Sequence, residues 1–300
     1  MSVVRLSGLS KRYGSHPALI DVDLEIDQGE VFGYLGPNGA GKTTTIRILL
    51  GLLRPTAGRA EVFGLDAWSE AVAVHARTGY VPGEPGLWER LTGEATITYL
   101  ARLRDDLTQV GRARVIAERL DLDLRRRVGA LSKGNKQKLV VVQAFMGDPE
   151  LVVLDEPTTG LDPLMQQEFH ALVRETTARG GTVLLSSHLL DDVQRTADRV
   201  GIIRDGRLVA VERLEELRAK AVHRISARFD GPFDPAAFAA IPGVGDISVG
   251  HGSVELRVPE GSLDAAVKTL ARQRIVDVEI TETDLEEMFL AYYGASTHAA

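Results

Sequence analysis

Cysteine is absent from this 300-residue chain. That excludes disulfides, thiolate metal sites and cysteine nucleophiles, and it fits a reducing cytoplasm. Long apolar runs are absent too. Crossing a bilayer as a helix takes about 18 consecutive apolar residues. The richest stretches, Leu139 to Met146 and Leu151 to Leu154, are short and flanked by charge. At the N-terminus, Arg5, Lys11 and Arg12 interrupt the apolar core that a signal peptide needs. A role at a membrane would therefore require another chain to provide the span. Positive charge is not in excess either. The net charge is −7, so no global basic field exists to hold nucleic acid. What remains is the composition of an ordinary globular protein, long enough for one large domain or for a medium and a small one.

Against these absences stands the stretch from Gly36 to Thr44, Gly-Pro-Asn-Gly-Ala-Gly-Lys-Thr-Thr. Gly36, Gly41, Lys42 and Thr43 occupy the places of a phosphate loop. Such a loop must curl its backbone N–H groups around a phosphate, and glycine lets the chain turn and approach that closely. The candidate cradle is the whole run: Gly36, Pro37, Asn38, Gly39, Ala40, Gly41, Lys42, Thr43 and Thr44. Lys42 reaches the β- and γ-phosphates, and the Thr43 hydroxyl is a candidate Mg²⁺ ligand. Val31 to Leu35 reads as the strand before the loop and Thr45 to Leu50 as the helix after it. The positive end of that helix points at the anion.

Further elements follow in order. Val3 to Leu6 and Val22 to Ile26 read as strands, with Tyr13 between them. Taken alone, a tyrosine there packs a loop edge more often than it stacks on a base. Glu61 to Gly64 and Gly79 to Pro82 read as strands on either side of a helical stretch from Glu70 to Arg77. From about residue 87 to 147 the spacing is helical, as an insertion within a strand–helix core. Its basic triplet, Arg125 to Arg127, reads as a solvated face.

Leu151 to Leu154 is an unbroken apolar run that ends in Asp155 and Glu156. Such a run suits a strand covered on both faces, and its C-terminal end is where open α/β sheets place ligands. Asp155 is a natural Mg²⁺ partner, and Glu156 a natural polariser of an attacking water. Gly181 to Ser187 is a second strand of this kind and ends at His188. Asp205-Gly206, between Val200–Ile203 and Arg207–Ala210, signals a hairpin. Val211 to Lys220 reads as a charged helix. Beyond residue 220, strands at 225–229, 247–249, 254–258 and 276–280 and a helix at 263–272 predict a small α+β domain over 221–300.

Together these residues resemble the ATP-binding subunit of ABC transporters over about residues 3 to 215. Leu131-Ser132-Lys133-Gly134-Asn135-Lys136-Gln137-Lys138 resembles the family's LSGGQ signature loop and precedes the acidic strand, as in that family. Gly160-Leu161-Asp162-Pro163 resembles the loop that follows it. The resemblance implies an α/β fold, a P-loop NTPase cassette over 1–220 with a helical subdomain, followed by the accessory domain. It implies ATP and Mg²⁺ as ligands, with Tyr13 stacking on adenine, Glu156 and His188 acting in hydrolysis, and Thr43 and Asp155 at the metal. It also implies a homodimer in which Ser132 and Gly134 of one copy complete the phosphate site of the other. The partner expected is a separate membrane permease, which places the chain on the cytoplasmic face of the membrane, with no nucleic acid bound.

The signature variant and the ending Asp284 to Leu290 resemble cassettes of drug and antibiotic export systems. Where the family usually has a Mg²⁺-sensing glutamine, this chain has Gly83 followed by Glu84. Either Glu84 substitutes, as a ligand or as a partner contact, or the loop is looser and hydrolysis slower. Two other readings compete with a transport ATPase: an ATP-binding regulatory module with little hydrolysis, and a cytosolic ATPase unconnected to transport. Glu156 and His188 favour hydrolysis over the first, and the acidic balance disfavours a nucleic-acid role for the second.

Overall fold

A computed structural model describes residues 1–219 and 222–282. The chain divides into two compact units between Glu212 and Arg213, slightly before the boundary drawn at 220. From the N-terminus come β1 (Ser2–Tyr13), β2 (His16–Asp27), β3 (Val31–Leu35), α1 (Lys42–Leu49), β4 (Ala57–Val62), β5 (Leu65–Asp66), α2 (Ala71–Ala76) and β6 (Thr78–Val81). The helical segment holds α3 (Gly93–Leu103), α4 (Gln109–Arg119) and α5 (Lys133–Phe145). Then follow β7 (Leu151–Asp155), α6 (Pro163–Ala178), β8 (Thr182–Ser187), α7 (Leu190–Gln194), β9 (Arg199–Arg204) and β10 (Arg207–Arg213). The second unit contains α8 (Leu214–Ala219), β11 (Val222–Phe229), α9 (Ala236–Ala239), β12 (Gly245–Gly250), β13 (Ser253–Pro259), α10 (Leu263–Leu270) and β14 (Ile275–Glu282).

The first unit is built on a six-stranded sheet in the order β10-β9-β3-β8-β7-β6. Its strands from β9 to β6 pair in parallel. The unbroken apolar run of β7 follows from its position. Val152 and Leu154 pack into one core with Leu139 of α5 and Phe169 of α6. Leu151 and Val153 pack into the other with Ile46 of α1 and Val4 of β1. With both faces covered, each such side chain contributes about 1.5–3 kcal/mol through burial. On the α1 side lies a second, antiparallel sheet, β2-β1-β4-β5. Three helix starts carry their own caps. Thr92 accepts from the Ala95 amide, Ser132 from Asn135, and Asp162 from Leu164 and Met165 ahead of α6.

Several boundaries differ from those the sequence suggests. β1 and β2 run long and meet in a hairpin, so Lys11 to Tyr13 lie in β1. Phe63 and Gly64 are not strand but a turn, at φ 57° and 75°. β10 continues to Arg213, and the helix expected from Val211 begins at Leu214. The Asp205-Gly206 hairpin is present, with both residues at positive φ (49° and 76°), as a type I′ turn requires.

After α8, the second unit has the element order β-α-β-β-α-β and the antiparallel sheet β12-β13-β11-β14. Phe238 of α9, Ala266 and Leu270 of α10 and the inward row of β11 and β13 form its core. The stretch from Asp284 to Leu290 lies outside the described residues. Among the described residues, no helix is long and apolar enough to cross a membrane.

Candidate nucleotide site

Three parallel strands end side by side. β8 lies between β3 and β7, with Leu35 beside Ser187 and Asp155 beside Ser186. The loop after β3, the two acids at the end of β7 and His188 after β8 therefore share one edge of the sheet. A cavity of about 170 Å³ opens there, lined by Ala18, Asn38, Gly39, Gly41, Lys42, Thr43, Thr44 and Glu156. Lys42 is buried within it. Its Nζ donates to the Gly36 carbonyl at 2.6 Å and to that of Pro37 at 3.3 Å, and lies 3.3 Å from Glu156 Oε1. The loop thus holds its cation buried against two of its own carbonyls, poised to meet a polyphosphate.

Asp155 is fully engaged. The Thr43 hydroxyl donates to its Oδ2 at 2.9 Å, and the Ser186 hydroxyl donates to its Oδ1 at 2.6 Å. A hydroxyl and a carboxylate oxygen this close suit Mg²⁺, which takes one or two protein ligands beside phosphate oxygens. Among the described residues, no cluster of three or more His, Asp or Glu could hold a metal without such help. Glu156 follows at φ 50°, and its Oε2 lies 2.6 Å from His188 Nδ1. At the end of β6, burial and the Asp155 charge push the Tyr80 phenol up to about 12, so it stays a neutral neighbour.

Other expected site residues lie apart from this cavity. Ser132 is exposed and caps α5, and Gly134 lies so close to the loop after β7 that an added Cβ would stand 2.8 Å from the Gly160 carbonyl. Neither lines the cavity of its own chain. Tyr13 is also outside the lining, 48% exposed at the tip of the β1–β2 hairpin. Lys11 Nζ lies 5.3 Å from its ring centroid. Gln137, within the signature stretch, is buried and its amide donates to the Pro157 carbonyl at 3.0 Å, whereas Ala18 and Ser186 carry no motif of their own. Only the folded hairpin and strand pairing reveal them, although two serines closing an apolar strand were a signal for Ser186.

Position 83 faces the metal candidate, and Glu84 is exposed. A Cβ at Gly83 would stand 3.4 Å from the Asp155 carbonyl and 3.8 Å from its carboxylate, ordinary contact distances. Gly83→Gln should therefore fold with its Tm changed by less than about 4 °C. It should also lower the Mg²⁺ concentration for half-maximal hydrolysis, whereas Glu84→Ala should leave that value alone. A Mg²⁺ titration of both variants decides; a shift with Glu84→Ala would reverse the assignment.

A parallel sheet with a phosphate loop and a carboxylate pair at its C-terminal edge defines a P-loop nucleotide-binding cassette. The family described as ABC transporter matches residues 19–159. A daunorubicin resistance ATP-binding protein of Streptomyces coeruleorubidus, DrrA3, is 40% identical over 73% of this chain and 71% of its own length. A bacitracin transport ATP-binding protein of Bacillus licheniformis, BcrA, is 36% identical over 69% of each chain. A solved structure described as an ATP-binding subunit of an ABC transporter superposes with a TM-score of 0.68 at 32% identity, covering 72% of this chain and 92% of that one. The chain belongs to the ABC transporter ATP-binding proteins, a family of ATPases.

Proposed function

We propose that this chain energises export of a drug-like small molecule through a separate membrane permease, hydrolysing ATP between two copies of itself. The observation that carries the hydrolytic part is the contact of Glu156 with His188 at the mouth of a cavity that holds Lys42. Lys42 and the loop amides bind the polyphosphate. Thr43 and Asp155 would hold Mg²⁺, which when bound supplies positive charge to the phosphate oxygens. Glu156 orients water and takes its proton, and His188 contacts the γ-phosphate. Ser132 is exposed, Gly134 is half-buried, and both lie outside their own cavity, which supports their serving the nucleotide of a second copy, where the start of α5 offers backbone N–H groups. Tyr13 stacks on the adenine. The export reading is supported by relatives named for bacitracin transport, daunorubicin resistance and fluoroquinolone export.

Light scattering of Glu156→Gln tests the dimer. Adding Mg²⁺ and ATP should double its mass, and Ser132→Arg should prevent this. A mass that ATP does not change would overturn the two-copy site.

The permease has a candidate seat. Leu50, Leu52, Tyr80 and Leu100 line a groove of about 260 Å³ together with Arg104. Partial burial pulls the Arg104 guanidinium below its ordinary pKa, and its described bond is to the Thr78 carbonyl at 3.2 Å. A permease segment with an apolar residue beside a carboxylate would match this surface. Leu52 is 58% exposed, so Leu52→Asp should leave basal hydrolysis within about twofold and abolish the permease-dependent stimulation. Stimulation equal to wild type would exclude the groove.

A further inference from the structure

Behind Glu156 and His188 lies a buried carboxylate that none of the motifs explains. Asp192, in α7, is 7% exposed. Its Oδ2 accepts two hydroxyl hydrogen bonds, from Thr158 at 2.7 Å and from Ser187 at 3.1 Å. Thr158 and Ser187 are themselves 5% and 0% exposed. The two hydroxyls come from different segments. Thr158 follows Glu156 by two residues in the loop after β7, and Ser187 immediately precedes His188 at the end of β8. The Ser187 oxygen also accepts from the Leu189 amide at 3.0 Å, so one hydroxyl holds the chain on both sides of His188.

We propose that Asp192 is a positioning residue for hydrolysis: by tying Thr158 to Ser187 it sets the separation of Glu156 from His188. This rests on the reading of Glu156 and His188 as the hydrolytic pair. The backbone at Glu156 explains why such a tie is needed. Its φ of 50° is a left-handed conformation that an L-residue holds only where its surroundings over-determine it. Three bonds do so. The Glu156 amide donates to the Ser186 carbonyl at 3.1 Å, Gln137 donates to the Pro157 carbonyl at 3.0 Å, and Thr158 donates to Asp192. The first two fix the backbone. The first also joins the turn to β8 two residues before His188, and the third adds a side-chain tie to the same segment through α7. Charge also favours the tie. A buried carboxylate that lost its hydroxyl donors would stand uncompensated, so the two segments are held to Asp192 more firmly than a neutral acceptor would hold them. Without it, the turn can relax and Glu156 can drift from the water it must orient. Displacements of about 1 Å at a reacting centre cost on the order of 100-fold in rate.

The test uses Asp192→Asn, Thr158→Val, Ser187→Ala and the Thr158→Val/Ser187→Ala double variant of the full chain. For each, kcat and KM for ATP, ADP affinity by calorimetry and Tm are measured beside Glu156→Gln. Asp192→Asn should lower kcat about tenfold or more, with KM and ADP affinity within about twofold of wild type. The double variant should lose no more than Asp192→Asn, because the three side chains act as one unit. If Asp192→Asn does not fold, the two single hydroxyl variants carry the same kcat and KM comparison. A folded Asp192→Asn, or folded hydroxyl variants, that hydrolyse like wild type while Glu156→Gln is inactive overturn the positioning role alone. Loss of ADP affinity or Tm in proportion to kcat makes Asp192 structural and also overturns it. A Glu156→Gln variant as active as wild type removes the reading beneath it.

Discussion

Glu156→Gln should lower steady-state ATP hydrolysis by about 100- to 10,000-fold, the range a positioned general base supplies, while the protein still binds ATP. The substitution keeps the shape of the side chain and its place beside His188 Nδ1 at 2.6 Å. It removes the capacity to take a proton from water. It also removes the negative charge 3.3 Å from Lys42 Nζ, so the lysine meets the polyphosphate with one less competitor. ATP affinity should therefore hold or rise. Phosphate release, measured beside retention of labelled ATP on the protein, separates the two quantities. A rate within tenfold of wild type, with the permease present, would remove Glu156 from the reaction.

Gly41→Ala should be a strongly damaging single-methyl change in the phosphate loop. Gly41 sits at φ 113°, where an L-residue is strained, and caps α1 directly before Lys42. An added Cβ would stand 2.7 Å from Leu19 Cδ2 and 2.8 Å from the Ala18 carbonyl, the latter a backbone atom that cannot swing away. Strain alone costs about 1–3 kcal/mol, and the contact adds to it. The loop can relieve both only by moving the start of α1, and with it Lys42 and Thr43. Nucleotide affinity should fall at least about 100-fold, equivalent to about 2.7 kcal/mol. Gly39→Ala provides the control. Gly39 is also at positive φ, 82°, but nothing lies within 4 Å of its added Cβ. It carries the strain without the collision, so it should lose clearly less affinity. Equal losses measured by ADP titration would show that crowding against the β2 strand is not what requires glycine at position 41.

The phosphate loop, the acids at the end of β7 and His188 were legible in the chain because each is a local statement. A loop that wraps a phosphate must spell its glycines, lysine and threonine in consecutive places, and a strand buried on both faces must be apolar until the residue that meets the ligand. The Asp205-Gly206 hairpin was legible for the same reason, since its turn is set by its two central residues. The Phe63-Gly64 turn was not, because an apolar residue at positive φ is read as strand until the pairing of β4 with β5 is known.

By itself, then, the sequence determined the nucleotide chemistry, the helical insertion and the apolar strands, all of which follow from residue spacing along a few turns of chain. Only the tertiary structure decided that Ala18 walls the cavity, that Ser186 steadies Asp155, that Gly83 faces Asp155, and that Asp192 joins Thr158 to Ser187. These contacts depend on which strands lie side by side in the sheet. That order is set by burial on both faces summed over the whole domain, and no short stretch of residues encodes it.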